Sequence, residues 1–225
     1  MNDFVTDRHA HKVLLQILRP YSPRYFPPAL MEIFRPPEKA NIDSRDNQDT
    51  NDNKRLGVSK KDEITRRKEL LEGGLATALL KECMESTKEY LTSQYSCDIL
   101  VEMCTGGQNT ILFNVLGEKA IDELHNAVVE AASSSLTDYY ASRSLRRIIL
   151  TSSATDGNIA AKFSHLLWSK TLKGKSKELM ETHAAKIVAA LLHSGCEEPA
   201  NCIRKELKDT NVDEWAEGFI KQKQK

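Results

Sequence analysis

Apolar residues recur at helical spacing along most of the chain. The helix predicted over residues 117–132 carries four apolar residues on one face: Ile121, Leu124, Val128 and Ala131. Only "CDILVEM", residues 97–103, resembles a strand, and its helical neighbours favour a helix there as well. The pattern therefore predicts an all-α protein of roughly eight to ten helices.

Several polar residues and glycines predict where these helices begin and end. Ser59 and Asp62 have the spacing of a capping box, with aspartate in place of the usual glutamate. The pairs at 73–74 and 106–107 are consecutive glycines, and Gly195 follows a long apolar helix. Each of these glycine positions is expected to end a helix.

Residues 38–58 are almost all polar and turn-forming, so too little apolar surface is available there to offset the entropy of ordering. We predict a flexible linker at 38–58. It separates a short helical-repeat remnant at 1–37 from a main helical domain at 59–210, which a C-terminal tail at 211–225 follows.

Four segments share one layout, in which a histidine or tyrosine leads into a compact residue, a charged residue and an apolar helix face. They are "HAHKVLLQIL" from His9, "YSCDILVEMC" from Tyr95, "YASRSLRRII" from Tyr140 and "HAAKIVAALL" from His183. The last three leads lie 45 and 43 residues apart. A near-constant period of this size is typical of an α-solenoid, in which each helical unit buries its face against its neighbours.

The formal net charge of zero conceals an uneven distribution. Residues 63–135 contain 6 Lys+Arg and 12 Asp+Glu, whereas residues 136–193 contain 9 Lys+Arg and 4 Asp+Glu. Such a division suits a polyanion bound to one face, and solvated helix surfaces explain it equally well. The basic segment supplies eight candidate phosphate ligands: Arg143, Arg146, Arg147, Lys170, Lys173, Lys175, Lys177 and Lys186. For the lysines near Gly174, interaction with a helix C-terminus is the alternative.

Other chemistry has little support in the sequence. His9 and His11 are two residues apart and so point to different faces of a helix, whereas a metal pair on a helix needs a spacing of three or four. The five cysteines form no CxxC pair, and no P-loop, GxSxG or HExxH motif occurs. We therefore predict no enzyme, no metal and no cofactor. No membrane helix or signal peptide is predicted, and the expected compartment is the cytosol or the nucleus.

The repeats also resemble a known family. "HAHKVLLQIL" is similar to the inner helix of a pumilio repeat. "HKVLLQILRPYSPRYFPP", "LGEKAIDELHNAVVEAA", "SRSLRRIIL" and "ETHAAKIVAALL" together resemble the C-terminal region, with its CPL domain, of the Puf-A class of pumilio-related proteins. The resemblance implies a superhelix of three-helix repeats, RNA binding, a nucleolar location and a role in large-subunit ribosome assembly. Members of that class are longer, so we expect a solenoid truncated at its N-terminus.

In ordinary pumilio repeats, two or three side chains of each inner helix read one base. The resemblance assigns these positions to His11, Lys12 and Leu15; Cys97, Asp98 and Val101; Ser142, Arg143 and Arg146; and Ala185, Lys186 and Ala189. The expected glutamine or glutamate is missing from every fifth position of the motif, so we predict sequence-tolerant binding to the RNA backbone. The resemblance adds Lys12 and Ser142 to the candidate RNA ligands. Tyr95 and Tyr140 are expected either to stack on bases or to pack between repeats.

The predicted partners are pre-rRNA or mRNA and, beyond RNA, ribosome-assembly proteins, and the protein is expected to be a monomer. The rival function is a protein–protein scaffold whose acidic surface at 63–135 docks an assembly partner without binding RNA.

Overall fold

The computed structural model describes residues 1–34, 62–155, 157–208 and 211–221, with side chains omitted at 152–160, 220 and 221. The regular structure of these residues is helical throughout. The helices are α1 (Asn2–Thr6), α2 (Ala10–Leu18), α3 (Pro28–Phe34), α4 (Glu63–Leu70), α5 (Ala76–Glu85), α6 (Thr87–Thr92), α7 (Ser96–Cys104), α8 (Ile111–Leu116), α9 (Glu118–Ala132), α10 (Tyr139–Thr155), α11 (Gly157–Leu167), α12 (Ser176–Leu179), α13 (Ala185–His193), α14 (Glu197–Glu206) and α15 (Val212–Lys221). Wide helical turns at Leu71–Leu75 and Trp168–Leu172 and a short 3-10 turn at Gln108–Thr110 connect some of them.

The four predicted repeat segments form an inner layer of consecutive helices. α2 packs against α7, α7 against α10, and α10 against α13. α7, α10 and α13, whose leads lie 45 and 43 residues apart, are therefore neighbours in space, as this spacing predicts. α2 packs on α7 although its lead, His9, precedes Tyr95 by 86 residues. This arrangement is that of an all-α helical-repeat solenoid, and the predicted fold class is confirmed.

The intervening helices form a second layer. α9 contacts α6 and α11, and α14 contacts α11 and α12. The two layers share one core, in which the largest fully buried side chains include Tyr90, Phe163 and Trp168. Val5 of α1 and Ala216 of α15 belong to the same core, so residues from both ends of the described chain contribute to it.

Local sequence patterns explain several helix boundaries. The stretch "CDILVEM" is helical within α7, and the helix predicted at 117–132 is α9. Asp62 caps α4 by accepting a hydrogen bond from the Thr65 backbone N–H at 2.7 Å. Ser59 and the predicted linker at 38–58 lie outside the described residues.

Two glycines at the end of α7 allow a tight turn back toward α8. Gly106 and Gly107 have φ values of +79° and +68°, in the left-handed region that favours glycine. A Cβ atom on Gly106 would lie 2.1 Å from the Phe113 ring, so this position also requires a residue without a side chain.

Residues 212–221 differ from the predicted tail. α15 packs against α13 and buries Val212 and Ala216, with exposed fractions of 6% and 0%. This segment is therefore part of the packed fold. Among the helices of the described residues, none combines the length and apolarity needed to cross a membrane.

Candidate nucleic-acid interface

Side-chain contacts hold neighbouring inner helices in register. The His11 and Tyr95 rings lie 5.2 Å apart between α2 and α7, and Arg147 of α10 pairs with Asp98 of α7. At the α10–α13 junction, the Tyr139 ring lies 5.8 Å from His183. These contacts tie each inner helix to the next one along the chain.

The predicted base-reading trios are only partly open to solvent. The first residue of each trio, two positions after the lead and here called the second position, is buried in all four inner helices: His11, Cys97, Ser142 and Ala185. The charged residue after it is called the third position. The last residue of each trio, the fifth position of the base-reading motif, is buried in three helices: Leu15, Val101 and Ala189. Burial therefore limits the access of these side chains to base edges, and Leu15, Val101 and the two alanines also have no polar side-chain atoms. The third positions remain wholly or partly accessible: Lys12, Asp98, Arg143 and Lys186.

α10 presents two arginines that have no other polar role in the described structure. Arg143 is exposed and Arg146 is half-buried, and neither has a hydrogen bond or ion pair with another described residue. Partial burial lowers the pKa of the Arg146 guanidinium below its usual value because desolvation disfavours its charged form. An anion beside Arg146 would offset part of this desolvation.

Arg147 does not lie on this accessible face. Its guanidinium contacts the Asp98 carboxylate and the Tyr25 hydroxyl, and 8% of its side chain is exposed. Its guanidinium carbon also lies 5.3 Å from the centre of the Tyr25 ring. We therefore remove Arg147 from the predicted phosphate ligands, because its charge is already neutralised inside the protein.

The contacts of Arg147 extend into a buried network at Glu102. The Tyr25 hydroxyl donates to one Glu102 carboxylate oxygen, and Arg19 Nε donates to the other at 2.5 Å. Glu102 is fully buried. Burial, followed by the negative charge of Glu102, raises the pKa of Tyr25 well above its usual value. This network joins α2, α7 and α10 and holds the inner layer together.

Ser142 and Lys12 differ in their accessibility. The Ser142 hydroxyl is buried and donates to the Tyr139 carbonyl oxygen at 3.0 Å, so it serves the first turn of α10. Lys12 is half-buried on α2, two inner helices away from Arg143. Lys12 is therefore a candidate ligand at the opposite end of the inner layer, whereas Ser142 is occupied within its own helix.

The lysine cluster, Lys170, Lys173, Lys175 and Lys177, lies beside the second-layer helices α9 and α14. Lys170 donates to the Asn126 side-chain oxygen of α9 at 2.9 Å. The backbone N–H groups of Gly174 and Ser176 donate to the Glu206 carboxylate of α14 at 2.9 and 3.3 Å. A phosphate there would meet lysine side chains, because a protein carboxylate already occupies these backbone donors.

The remaining cations of the cluster extend into solvent. The exposed lysines of this loop are Lys173, Lys175 and Lys177. The structure thus divides the predicted basic residues into an inner group on α10 and α13 and an outer group between α11 and α14.

The structure adds an aromatic residue that the sequence pattern did not single out. Tyr139 is 48% exposed at the start of α10. Its ring lies 5.2 Å from that of Tyr140, and Lys186 Nζ lies 5.6 Å from its centre. Tyr95 and Tyr140, the predicted stacking candidates, are half-buried and contact other rings. A helical register that places residue 139 on the face of Arg143 and Arg146 is the signal that could have revealed it.

The described residues contain no group of three histidine, cysteine or acidic side chains arranged to hold a metal ion. Burial raises the pKa of the Cys83 thiol to about 12 and that of Cys97 to about 11. Both thiols are therefore protonated at neutral pH and pack as small apolar groups.

The fold and the face on α10 and α13 together define an α-helical repeat protein whose inner layer carries accessible cations beside an exposed aromatic ring. Residues 6–156 match the family model of the CPL (NUC119) domain, so the chain belongs to this family. The match contains α2 and α7 and ends at residue 156, whereas the main helical domain predicted from the sequence covers 59–210.

The chain is also similar to Pumilio homolog 24 of Arabidopsis thaliana. The two are 26% identical in an alignment 236 residues long, and this alignment covers 86% of this chain and 35% of that protein. This chain thus spans about a third of the relative's length. No solved structure matches the chain. Together, the family match and this similarity identify a pumilio-related protein.

Proposed function

We propose that this protein binds RNA through phosphate contacts on the inner face of α10 and α13, with little preference for base sequence. The accessible arginines Arg143 and Arg146 carry this proposal, because they have no polar partner among the described residues. Lys186 lies on the neighbouring helix α13, over the ring of Tyr139 of α10. Cations in this arrangement suit the regularly spaced charges of a nucleic-acid backbone.

Burial of the fifth positions supports sequence tolerance. Leu15, Val101 and Ala189 are at most 3% exposed and have no polar side-chain atoms, so they cannot discriminate between base edges. Phosphate contacts supply affinity without sequence information. The similarity to Pumilio homolog 24 also favours RNA as the partner.

The cellular role follows from the resemblance to the Puf-A class. We propose that the protein acts as a monomer in the nucleolus, in pre-rRNA processing and assembly of the large ribosomal subunit. Post-transcriptional control of mRNA is the alternative role for the same binding face. Crosslinking of RNA to the protein in cells, followed by sequencing, distinguishes these roles by enrichment of pre-rRNA or of mRNA.

The experiment compares wild-type protein with an Arg143→Gln/Arg146→Gln variant on labelled structured RNA and random-sequence RNA. Titrations at roughly 50 and 200 mM salt span the range in which phosphate-led binding weakens steeply. The matched control is Lys81→Gln/Lys119→Gln, which removes two exposed positive charges from α5 and α9.

We expect similar wild-type affinity for both RNAs and a steep salt dependence. The arginine variant should bind more weakly with a shallower salt slope, since each lost phosphate contact reduces the slope by about one. The control should resemble wild type. A folded wild-type protein that binds neither RNA at low salt would contradict the proposal.

One observation favours a protein scaffold as a second candidate function. Apart from Tyr139, the exposed large apolar side chains among the described residues all precede residue 85; Ile33 and Ile64 are the most exposed, at 75% and 63%. Exposed apolar side chains in the part of the described chain that precedes residue 85 suit docking of another protein. A partner whose capture depends on Ile64 but not on Arg143 would support this candidate.

A further inference from the structure

We propose that Tyr139 is the platform of a stacking site for one unpaired RNA base at the junction of α10 and α13, with His183 at its edge. This inference rests on the proposed function and adds to it a specific subsite. Neither residue belongs to the four trios that the pumilio resemblance assigns to base recognition.

The environment of Tyr139 leaves room for a planar ligand. Its contacts with Tyr140 and His183 are edge-to-face, with interplanar angles of 83° and 85°. Neither ring therefore stacks in parallel on Tyr139, and 48% of the residue is exposed. A base can stack on an aromatic face regardless of its identity, because every base has a π-face.

Local hydrogen bonds fix the positions of both residues. Asp138 accepts from the Ala141 N–H at 2.9 Å, and the Tyr139 carbonyl oxygen accepts from the Ser142 hydroxyl. On the other side of the junction, the Thr182 hydroxyl accepts from the Ala184 N–H at 3.1 Å next to His183. The aromatic pair thus rests on an ordered backbone and loses little entropy when it binds a base.

The charges around the pair match a nucleotide rather than an apolar protein segment. Lys186 Nζ lies over the Tyr139 ring, 5.6 Å from its centre, so a base stacked on that face takes the place of the ammonium group, which then pairs with a flanking phosphate. Arg143 and Arg146 follow Tyr139 on the same face of α10, four and seven residues later. A base on Tyr139 would have its flanking phosphates next to these cations, as in sites that combine stacking with a basic groove.

The test uses the full chain and three RNA probes of equal length: a single strand with 2-aminopurine at its centre, a duplex, and a single strand with abasic sites. The variants are Tyr139→Ala, which removes the ring, and Tyr139→Trp, which retains an aromatic face. Lys186→Gln separates charge from stacking. Far-UV circular dichroism checks that each variant is folded.

We expect Tyr139→Ala to weaken binding to the single strand by roughly 5- to 150-fold, since stacking on one base contributes about 1–3 kcal/mol. Binding to the duplex and to the abasic strand should change less than about two-fold, because neither offers an unpaired base at the site. Tyr139→Trp should retain wild-type affinity and quench 2-aminopurine. Lys186→Gln should reduce the salt slope and preserve the difference between the strand with bases and the abasic strand.

The outcomes separate the two proposals. If wild-type protein binds RNA and Tyr139→Ala binds the single strand equally well, the stacking site is wrong and phosphate-led binding stands. Equal loss of affinity for all three probes would also overturn stacking, because only a general electrostatic or structural role would explain it. A wild-type protein that binds none of the probes would overturn both proposals.

Discussion

Replacing Arg147 with methionine tests whether this arginine belongs to the protein interior or to the RNA-binding face. Methionine retains the apolar stem but removes the guanidinium that pairs with Asp98 and contacts Tyr25. Breaking a buried ion pair typically costs about 3–5 kcal/mol, because the partner is left charged and unpaired.

The structure places the expected cost near the lower end of that range. Glu102 loses its 3.8 Å contact with Arg147 but keeps its shorter contacts with Arg19 and Tyr25, and the Asp98 side chain is 16% exposed and partly solvated. We therefore expect Arg147→Met to lower the free energy of unfolding by about 3 kcal/mol. The double variant with Asp98→Asn should cost at least about 1 kcal/mol less than the sum of the single changes, because it removes both charges.

Equilibrium unfolding in urea, followed by far-UV circular dichroism, measures these differences. Arg143→Met is the matched control, since Arg143 lies one turn earlier on the same helix and is exposed. The control should change stability by less than about 0.5 kcal/mol but weaken RNA binding, whereas Arg147→Met should do the reverse. Equal effects of both substitutions on stability would refute the buried network as the reason for Arg147.

Three further predictions concern the turn after α7, a buried thiol and the lysine loop. Gly106→Ala should lower the free energy of unfolding in urea by about 2–4 kcal/mol, because it combines left-handed backbone strain with a clash at Phe113. Gly174→Ala is the control, because a Cβ atom there meets no other atom within 4 Å, and it should cost less. Equal costs of the two substitutions would refute the clash. Burial raises the pKa of the Cys83 thiol to about 12 from its usual value of 9.0. The stabilisation gained by keeping this thiol protonated in the folded protein is therefore present below about pH 9 and is lost as the pH rises toward 12. Cys83→Ala should flatten the dependence of the free energy of unfolding on pH in that window, and an unchanged slope would contradict this. Glu206→Gln removes the negative charge beside the lysine loop. Because the proposed RNA-binding face lies on α10 and α13, RNA affinity at roughly 50 mM salt should change by less than about two-fold; a larger rise in a binding titration would place the RNA at the loop instead.

The repeat architecture could be predicted from sequence because each inner helix carries its own lead and apolar face. α7, α10 and α13 begin within two residues of Tyr95, Tyr140 and His183. The accessible cations of the third positions also followed from this repeat pattern, since the same helical register recurs in each unit.

The role of Arg147 could not be predicted in the same way, because its partners are distant in sequence. Asp98 lies 49 residues away and Tyr25 lies 122 residues away. "SRSLRR" therefore appears as three equivalent arginines, although packing of α10 against α7 buries the last one.

Tyr139 and α15 illustrate two other limits of a single sequence. Two adjacent tyrosines begin α10, and only the tertiary structure shows that Tyr139 is exposed and Tyr140 is half-buried. The segment 211–225 has a polar composition typical of a tail, yet Val212 and Ala216 are buried in the fold, and Trp215 and Phe219 pack against the core. Tertiary contacts decided both features, and local pattern did not reveal them.

Ultraviolet crosslinking of the intact protein to uridine-rich single-stranded RNA, followed by mass spectrometry of the peptides, tests directly whether RNA binds the face on α10 and α13. We expect crosslinks at Tyr139 and within residues 139–146 and 183–186, and we expect Arg143→Gln/Arg146→Gln to reduce them. Crosslinks confined to residues 170–177 or to the exposed apolar residues before residue 85 would contradict an RNA-binding face on α10 and α13.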